Sequence, residues 1–156
     1  MSEVYAYCDG SGSGRVCATF DYGEGYLRTY LGMCNDSVNF EFYAVLFALH
    51  KMKPGYSYIL YSDHKGVVDY ITLSEDFKRK SPIARHLAEK VRRVINDLNL
   101  DVTFRWASRK DNPAGWILDT PLSRSTYRRR IGKLRPEVED WWRGPTSLSS
   151  LFEDEE

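Results

Sequence analysis

The chain has 156 residues, 42% hydrophobic and 28% charged, with 22 basic and 22 acidic side chains. That length and apolar content suit one globular domain with a real core and exclude global disorder. A formal charge of zero excludes coating of nucleic acid by bulk charge, but the charges are segregated. Lys78 to Arg93 holds seven Lys/Arg and one acid, Ser123 to Arg135 holds six and none, and Pro136 to Glu156 holds seven acids against Arg143. Blocks of this kind set up local fields that the net charge does not report.

In chain order, Val4 to Cys8 is an apolar and aromatic run of high strand propensity, stopped at Asp9 by Gly10-Ser11-Gly12-Ser13-Gly14. Arg15 to Tyr22 and Tyr26 to Cys34 read as further strands, joined through Gly23-Glu24-Gly25, where glycine can take positive φ. Three strands with short turns predict an antiparallel meander. Asn35-Asp36-Ser37 offers caps for a helix from Phe40 to Met52 that is apolar on most sides and is therefore expected to be sandwiched in the core. Lys53-Pro54-Gly55 ends it.

Tyr56 to Tyr61 is a fourth strand leading into Ser62-Asp63, and Gly66 to Ile71 a short helix. Thr72 to Lys80 is polar and expected to be loop. Ser81-Pro82 opens a longer helix whose buried stripe is Ile83, Leu87, Val91, Val94, Ile95 and Leu98. Val102 to Ala107 is a fifth strand, Ser108 to Asn112 a loop, and Pro113 to Leu118 a final helix. Helical crossovers make the fourth and fifth strands parallel to their neighbours. The expected result is an α/β domain over residues 1–121, with a five-stranded mixed sheet and helices on both faces. Residues 122–145 are expected to be an extension packed on it, anchored by Trp141 and Trp142, and 146–156 a flexible acidic tail. Phe152 and the acids after it make the tail a candidate hook for a protein partner.

Cys8, Cys17 and Cys34 are odd in number and form no CxxC pair, which suits the cytoplasm or another reducing intracellular compartment. No basic segment followed by an apolar run marks a signal peptide, and no apolar stretch approaches the roughly 20 residues that span a bilayer.

Asp9 ends the first strand and Asp63 the fourth; with those strands adjacent and parallel, both carboxylates would emerge at one sheet edge. Glu41 opens an otherwise apolar helix, where an acid is costly unless paired or bound to metal. Three gathered carboxylates repel and call for a cation, and Mg²⁺, with its preference for oxygen ligands, fits. Two ions about 4 Å apart would activate a water and stabilise the leaving oxygen of a phosphodiester. His50 and His86 have no partner at ligand spacing, no Gly-Lys-Ser/Thr follows the glycine stretch, and no Gly-x-Ser-x-Gly elbow is present.

Four stretches resemble ribonuclease H, in order and over roughly Val4 to Thr120. Tyr7-Cys8-Asp9-Gly10-Ser11 resembles its first-strand motif, Asn39-Phe40-Glu41-Phe42-Tyr43-Ala44 its first-helix motif, and Leu60-Tyr61-Ser62-Asp63 its fourth-strand motif. Val102 to Trp106 with Arg109, Asn112, Pro113 and Ala114 resembles its last strand, substrate loop and final helix. The resemblance implies strand order 3-2-1-4-5 and two-metal hydrolysis of the RNA strand of an RNA–DNA hybrid, with Asp9, Glu41 and Asp63 as catalytic, metal-binding acids and Mg²⁺ or Mn²⁺ as cofactor. Gly10 and Ser11 would meet the RNA backbone and Asn39 the minor groove. Lys90, Arg92 and Arg93 would hold DNA-strand phosphates, and Arg109 and Asn112 would contact substrate. His64, directly after Asp63, is either a substrate contact or a helix cap.

Two departures stand out. Gly115 occupies the position where the family usually has a fourth Asp, and Arg109 stands where it often has His, without that residue's capacity to shuttle a proton. Asp119, four residues on, and Asp111, before the helix, are candidate replacements. Without one, the alternatives are a catalytically weak or inactive nucleic-acid-binding or partner module, or a DNA-processing nuclease on the same scaffold.

Overall fold

The computed structural model describes residues 2–25, 27–34, 36, 38–73 and 81–119. The expected extension and acidic tail, with Trp141, Trp142, Phe152 and the arginines 128 to 130, lie outside the described residues, as do positions 74–80 of the expected loop.

Strands β1 (Ser2–Gly10), β2 (Arg15–Asp21) and β3 (Arg28–Met33) form the antiparallel meander. The β2–β3 connection places Gly23 and Gly25 at φ 79° and 86°, in the left-handed region that favours glycine. Alternation along β1 sends Val4, Ala6 and Cys8 into the main core and Tyr5 and Tyr7 to the opposite face.

Helix α1 (Phe40–His50) buries Phe42 and every residue from Ala44 to Leu49. A helix this apolar all round has no solvent face to offer, and it lies between β1 and β2 on one side and α3 (Pro82–Asp97) on the other. The cap of α1 is Asn39, not the Asn-Asp-Ser triplet as expected. Asp36 instead accepts from the backbone N–H groups of Val38 and Asn39, each at 2.8 Å, and so shapes the turn that enters the helix.

Strand β4 (Tyr56–Ser62) pairs parallel with β1, and β5 (Asp101–Trp106) parallel with β4, giving the order β3-β2-β1-β4-β5. Between them run α2 (Lys65–Leu73) and α3. Ser81 caps α3, its Oγ accepting from Ala84 N–H, with Pro82 in the first turn. The buried stripe of α3 is Ala84, Leu87, Ala88, Val91 and Val94. Ile83 and Leu98, expected in it, are exposed, Ile83 in the first turn and Leu98 directly after the last residue of the helix.

Arg109–Asp111, expected as loop, form one 3-10 turn leading into α4 (Pro113–Leu118). Helix α4 covers the other face of the sheet, where Ala114, Ile117 and Leu118 pack with Cys17, Leu31 and Tyr7 in a second small core. The domain is thus α/β, with a five-stranded mixed sheet and helices on both faces. Cys8, Cys17 and Cys34 are buried free thiols. No helix among the described residues is long and apolar enough to cross a membrane.

Candidate metal centre

The parallel register of β1 and β4 builds the site. Cys8 is opposite Ser62 in the last paired position, so Asp9 and Asp63, one step further on each strand, emerge side by side at the same edge. Gly10 follows Asp9, and its backbone N–H donates to Glu41 Oε1 at 2.9 Å. That bond ties the first turn of α1 to the end of β1. A Cβ at Gly10 would lie 2.7 Å from the Phe40 backbone oxygen, so only glycine lets the helix come this close. Asp9, Glu41 and Asp63 each bring a carboxylate oxygen to within 4.8 Å of the other two.

The electrostatics of this cluster are adverse. Asp9 is 1% exposed, and neither of its carboxylate oxygens, nor Oδ2 of Asp63, has a hydrogen-bond partner. Burial, then repulsion by Asp63, pushes the Asp9 carboxyl up to about 7, against the opposing pull of Arg109. Burial, then Asp9 and Asp63, pushes Glu41 up to about 8, although the Gly10 N–H favours its charged form. Unpartnered buried carboxylates of one sign are costly without a cation. Their hard oxygen donors and close spacing fit a divalent ion such as Mg²⁺ or Mn²⁺. The described residues offer one such group of three, where two ions were expected.

Neither candidate fourth acid joins it. Asp111 is exposed and accepts from Ser108 Oγ at 2.9 Å. Asp119 is exposed and pairs with Arg109 Nη2. Gly115, by contrast, faces the cluster: a Cβ there would be 3.2 Å from Asp9 Oδ2 and 3.7 Å from Asp63 Oδ2. A fourth carboxylate at that position would enter the site, and the chain has none. Arg109 faces the same two oxygens, with Nη1 3.9 Å from Asp9 Oδ2 and 3.6 Å from Asp63 Oδ2.

The other expected site residues divide. Ser11 borders the centre, its Oγ within 2.8 Å of Ser13 Oγ. Asn39 flanks Glu41, with its Nδ2 donating to Asp36 Oδ2. His64 caps α2, its Nδ1 accepting from Val67 N–H at 3.1 Å, which leaves Nε2 as the outward nitrogen. A groove of about 450 Å³ joins Asn39, Glu41 and His64 to Phe40, Tyr70 and Ser81. Asn112, expected at the substrate, is instead fully buried: its Nδ2 donates to Cys8 O and its Oδ1 accepts from Ala114 N–H. It caps α4 and ties that helix to β1. Arg92, expected on phosphate, donates to the Ile71 carbonyl at the end of α2, while Lys90 and Arg93 lie on the same helix.

Trp106 also belongs to the site, without a motif that marks it in the sequence. It is half exposed at the end of β5, and its Nε1 donates to Asp63 O at 3.1 Å, fixing the backbone that carries the carboxylate. An aromatic residue at a strand end beside the acid-bearing strand was the available signal. Phe40, Tyr70 and Ser81 became groove residues only when α1, α2 and α3 met.

No family model matches the sequence, and neither does any curated protein. Solved structures do match its fold. RNase H1 from the halophilic archaeon Halobacterium salinarum superposes with a TM-score of 0.57 at 18% identity, over 72% of this chain and 91% of that one. LC11-RNase H1 in complex with RNA/DNA hybrid gives 0.55 at 14%, over 70% and 88%. The N-terminal RNase H domain of rv2228c from Mycobacterium tuberculosis gives 0.54 at 16%, over 72% and 86%. The chain therefore has a ribonuclease H1-like fold, with three acids clustered at one site and no fourth among the described residues.

Proposed function

We propose that this chain is a nucleic-acid-binding domain that engages RNA–DNA hybrid over its acidic centre and cleaves the RNA strand slowly. The observation that carries the reading is Asp9, a buried carboxylate with no donor to either oxygen, held beside Glu41 and Asp63. In this reading these three residues hold one divalent ion, Mg²⁺ or Mn²⁺. A bound ion of this kind polarises a phosphodiester oxygen and lowers the pKa of a coordinated water. The chain's own contribution is orientation. Gly10 fixes Glu41, Trp106 fixes the Asp63 backbone, and Asn112 fixes α4 against β1. Gly10, Ser11, Asn39 and His64 supply the rim that meets the RNA strand, with 2′-hydroxyl contacts distinguishing RNA from DNA. Lys90, Arg92 and Arg93 add phosphate attraction, which sets affinity and salt dependence but not sequence choice. The three unpaired buried thiols support a reducing intracellular setting.

Gly115 favours a second reading, in which the domain binds hybrid or a protein partner and does not cut, because a centre of three acids holds its cation less completely than one of four. One assay separates the readings. Labelled RNA–DNA hybrid, single-stranded RNA, duplex RNA and duplex DNA are each offered with Mg²⁺ or Mn²⁺. Selective hybrid binding with slow cutting of its RNA strand, abolished in Asp9→Asn, is the expected result. Hybrid binding without cutting under either ion would leave the second reading. Cutting of duplex DNA would make the chain a DNA-processing nuclease, and no preference for hybrid would refute both.

A further inference from the structure

We infer that Arg109, steered by Asp119, supplies the second positive charge of this centre, so that the site takes one divalent ion and a guanidinium in place of two ions. The inference rests on the metal-binding role proposed for Asp9, Glu41 and Asp63. Three observations carry it. The first is position: the two oxygens nearest Arg109 Nη1, Asp9 Oδ2 and Asp63 Oδ2, are the same two that a Cβ at Gly115 would approach. The guanidinium thus faces the same two oxygens that the missing side chain would have faced, while Glu41 closes the centre through its bond to Gly10. The second is restraint. Arg109 is 58% exposed and would otherwise swing into solvent, but Asp119, at the end of α4, grips Nη2 and leaves Nη1 turned to the cluster. The 3-10 turn Arg109–Asp111 and the buried Asn112 cap fix the backbone between the two partners.

The third is charge. Three carboxylates carry −3, and one dication with one guanidinium restores zero among the inner groups. A second dication with no fourth acid would leave an excess positive charge in a buried site, which is costly. Arginine suits the task because it is charged at every working pH and needs no water shell of its own to be held. Asp119 is then a positioning residue and not the missing fourth acid.

Calorimetric titration of the full chain with Mn²⁺, without nucleic acid, tests this. Wild type is expected to bind one ion. Arg109→Ala removes a positive charge beside that ion, so it should bind one ion about tenfold more tightly, the effect of a dication and a unit charge about 6 Å apart at the dielectric of water. Arg109→Lys keeps the charge but, with a single nitrogen, cannot hold Asp119 and face the cluster together, so it should fall between wild type and Arg109→Ala. Arg109→Ala with Gly115→Asp should bind two ions, because an acid then stands beside the two oxygens that the guanidinium faced. A residue with a merely structural role would weaken metal binding when lost, the opposite sign. Two ions in wild type, or unchanged or weaker binding in Arg109→Ala, would overturn the inference while leaving the metal-binding reading in place. No ion bound by wild type would overturn that reading itself.

Discussion

Asp9→Asn should stabilise the metal-free protein while abolishing its response to divalent ions. The wild-type carboxylate is raised from 3.8 to about 7, chiefly by burial and then by Asp63. A shift of about 3 pKa units at about 1.4 kcal/mol each means that ionising Asp9 costs the metal-free fold on the order of 4 kcal/mol at pH 8. The sign follows from the raised folded value. The penalty is absent below the unfolded pKa near 4, grows as pH rises, and is complete above about 7. Asparagine removes the charge but leaves a buried amide without partners, at roughly 1–3 kcal/mol. The net gain is about 1–3 kcal/mol, or roughly 3–8 °C in melting temperature for a domain of this size. Thermal denaturation at pH 8 in EDTA should show that rise, and at pH 4 it should vanish. In Mg²⁺ at 100 times its Kd, wild type should gain about 2.7 kcal/mol and the variant nothing. A lower melting temperature for Asp9→Asn in EDTA at pH 8, or a Mg²⁺ response equal to wild type, would refute the reasoning.

Further predictions follow from the same geometry. Because Asp9 and Glu41 are both raised, protons compete with the cation, and divalent affinity should climb between about pH 6 and 8, as pH-stepped Mn²⁺ titration would record. Gly10→Ala should cost several kcal/mol in urea unfolding, because the tightest clash, with the Phe40 backbone oxygen, cannot be relieved by a side-chain rotation. Asn112→Ala should cost about 2–3 kcal/mol, as it leaves the buried Cys8 carbonyl and Ala114 N–H without their partner. Trp106→Phe should leave stability within about 1 kcal/mol of wild type but weaken Mn²⁺ binding, because the Asp63 backbone loses its indole donor.

The acids were legible because their signals are local. Asp9 and Asp63 each end an apolar strand at the point where a turn begins, and Glu41 interrupts a helix that is otherwise all core. With the first and fourth strands adjacent, as the resemblance to ribonuclease H implies, their helical crossover connection makes them parallel and brings the aspartates together. A polar residue in a loop, such as Asn112, looks the same in sequence whether it meets substrate or backbone. Yet Asn112-Pro113 is also the sequence of a helix cap with proline in the first turn, and that reading describes its bonds. The Arg109–Asp119 pair was not legible. The partners are ten residues apart, with a 3-10 turn and a helix between them, and no single periodicity joins them. Asp119 does lie one turn beyond Gly115, but that turn carries its short side chain outward to Arg109 and away from Asp9. The stripe of α3 failed at Ile83 and Leu98 because periodicity marks a face and not how far along the helix its neighbours extend.

Anomalous diffraction from a crystal of the full chain soaked in Mn²⁺ tests the metal centre itself. One anomalous peak among Asp9, Glu41 and Asp63 is expected, with Arg109 still directed at Asp9 Oδ2 and Asp63 Oδ2. An empty centre at millimolar Mn²⁺, or an ion bound elsewhere with the three carboxylates unoccupied, would contradict it.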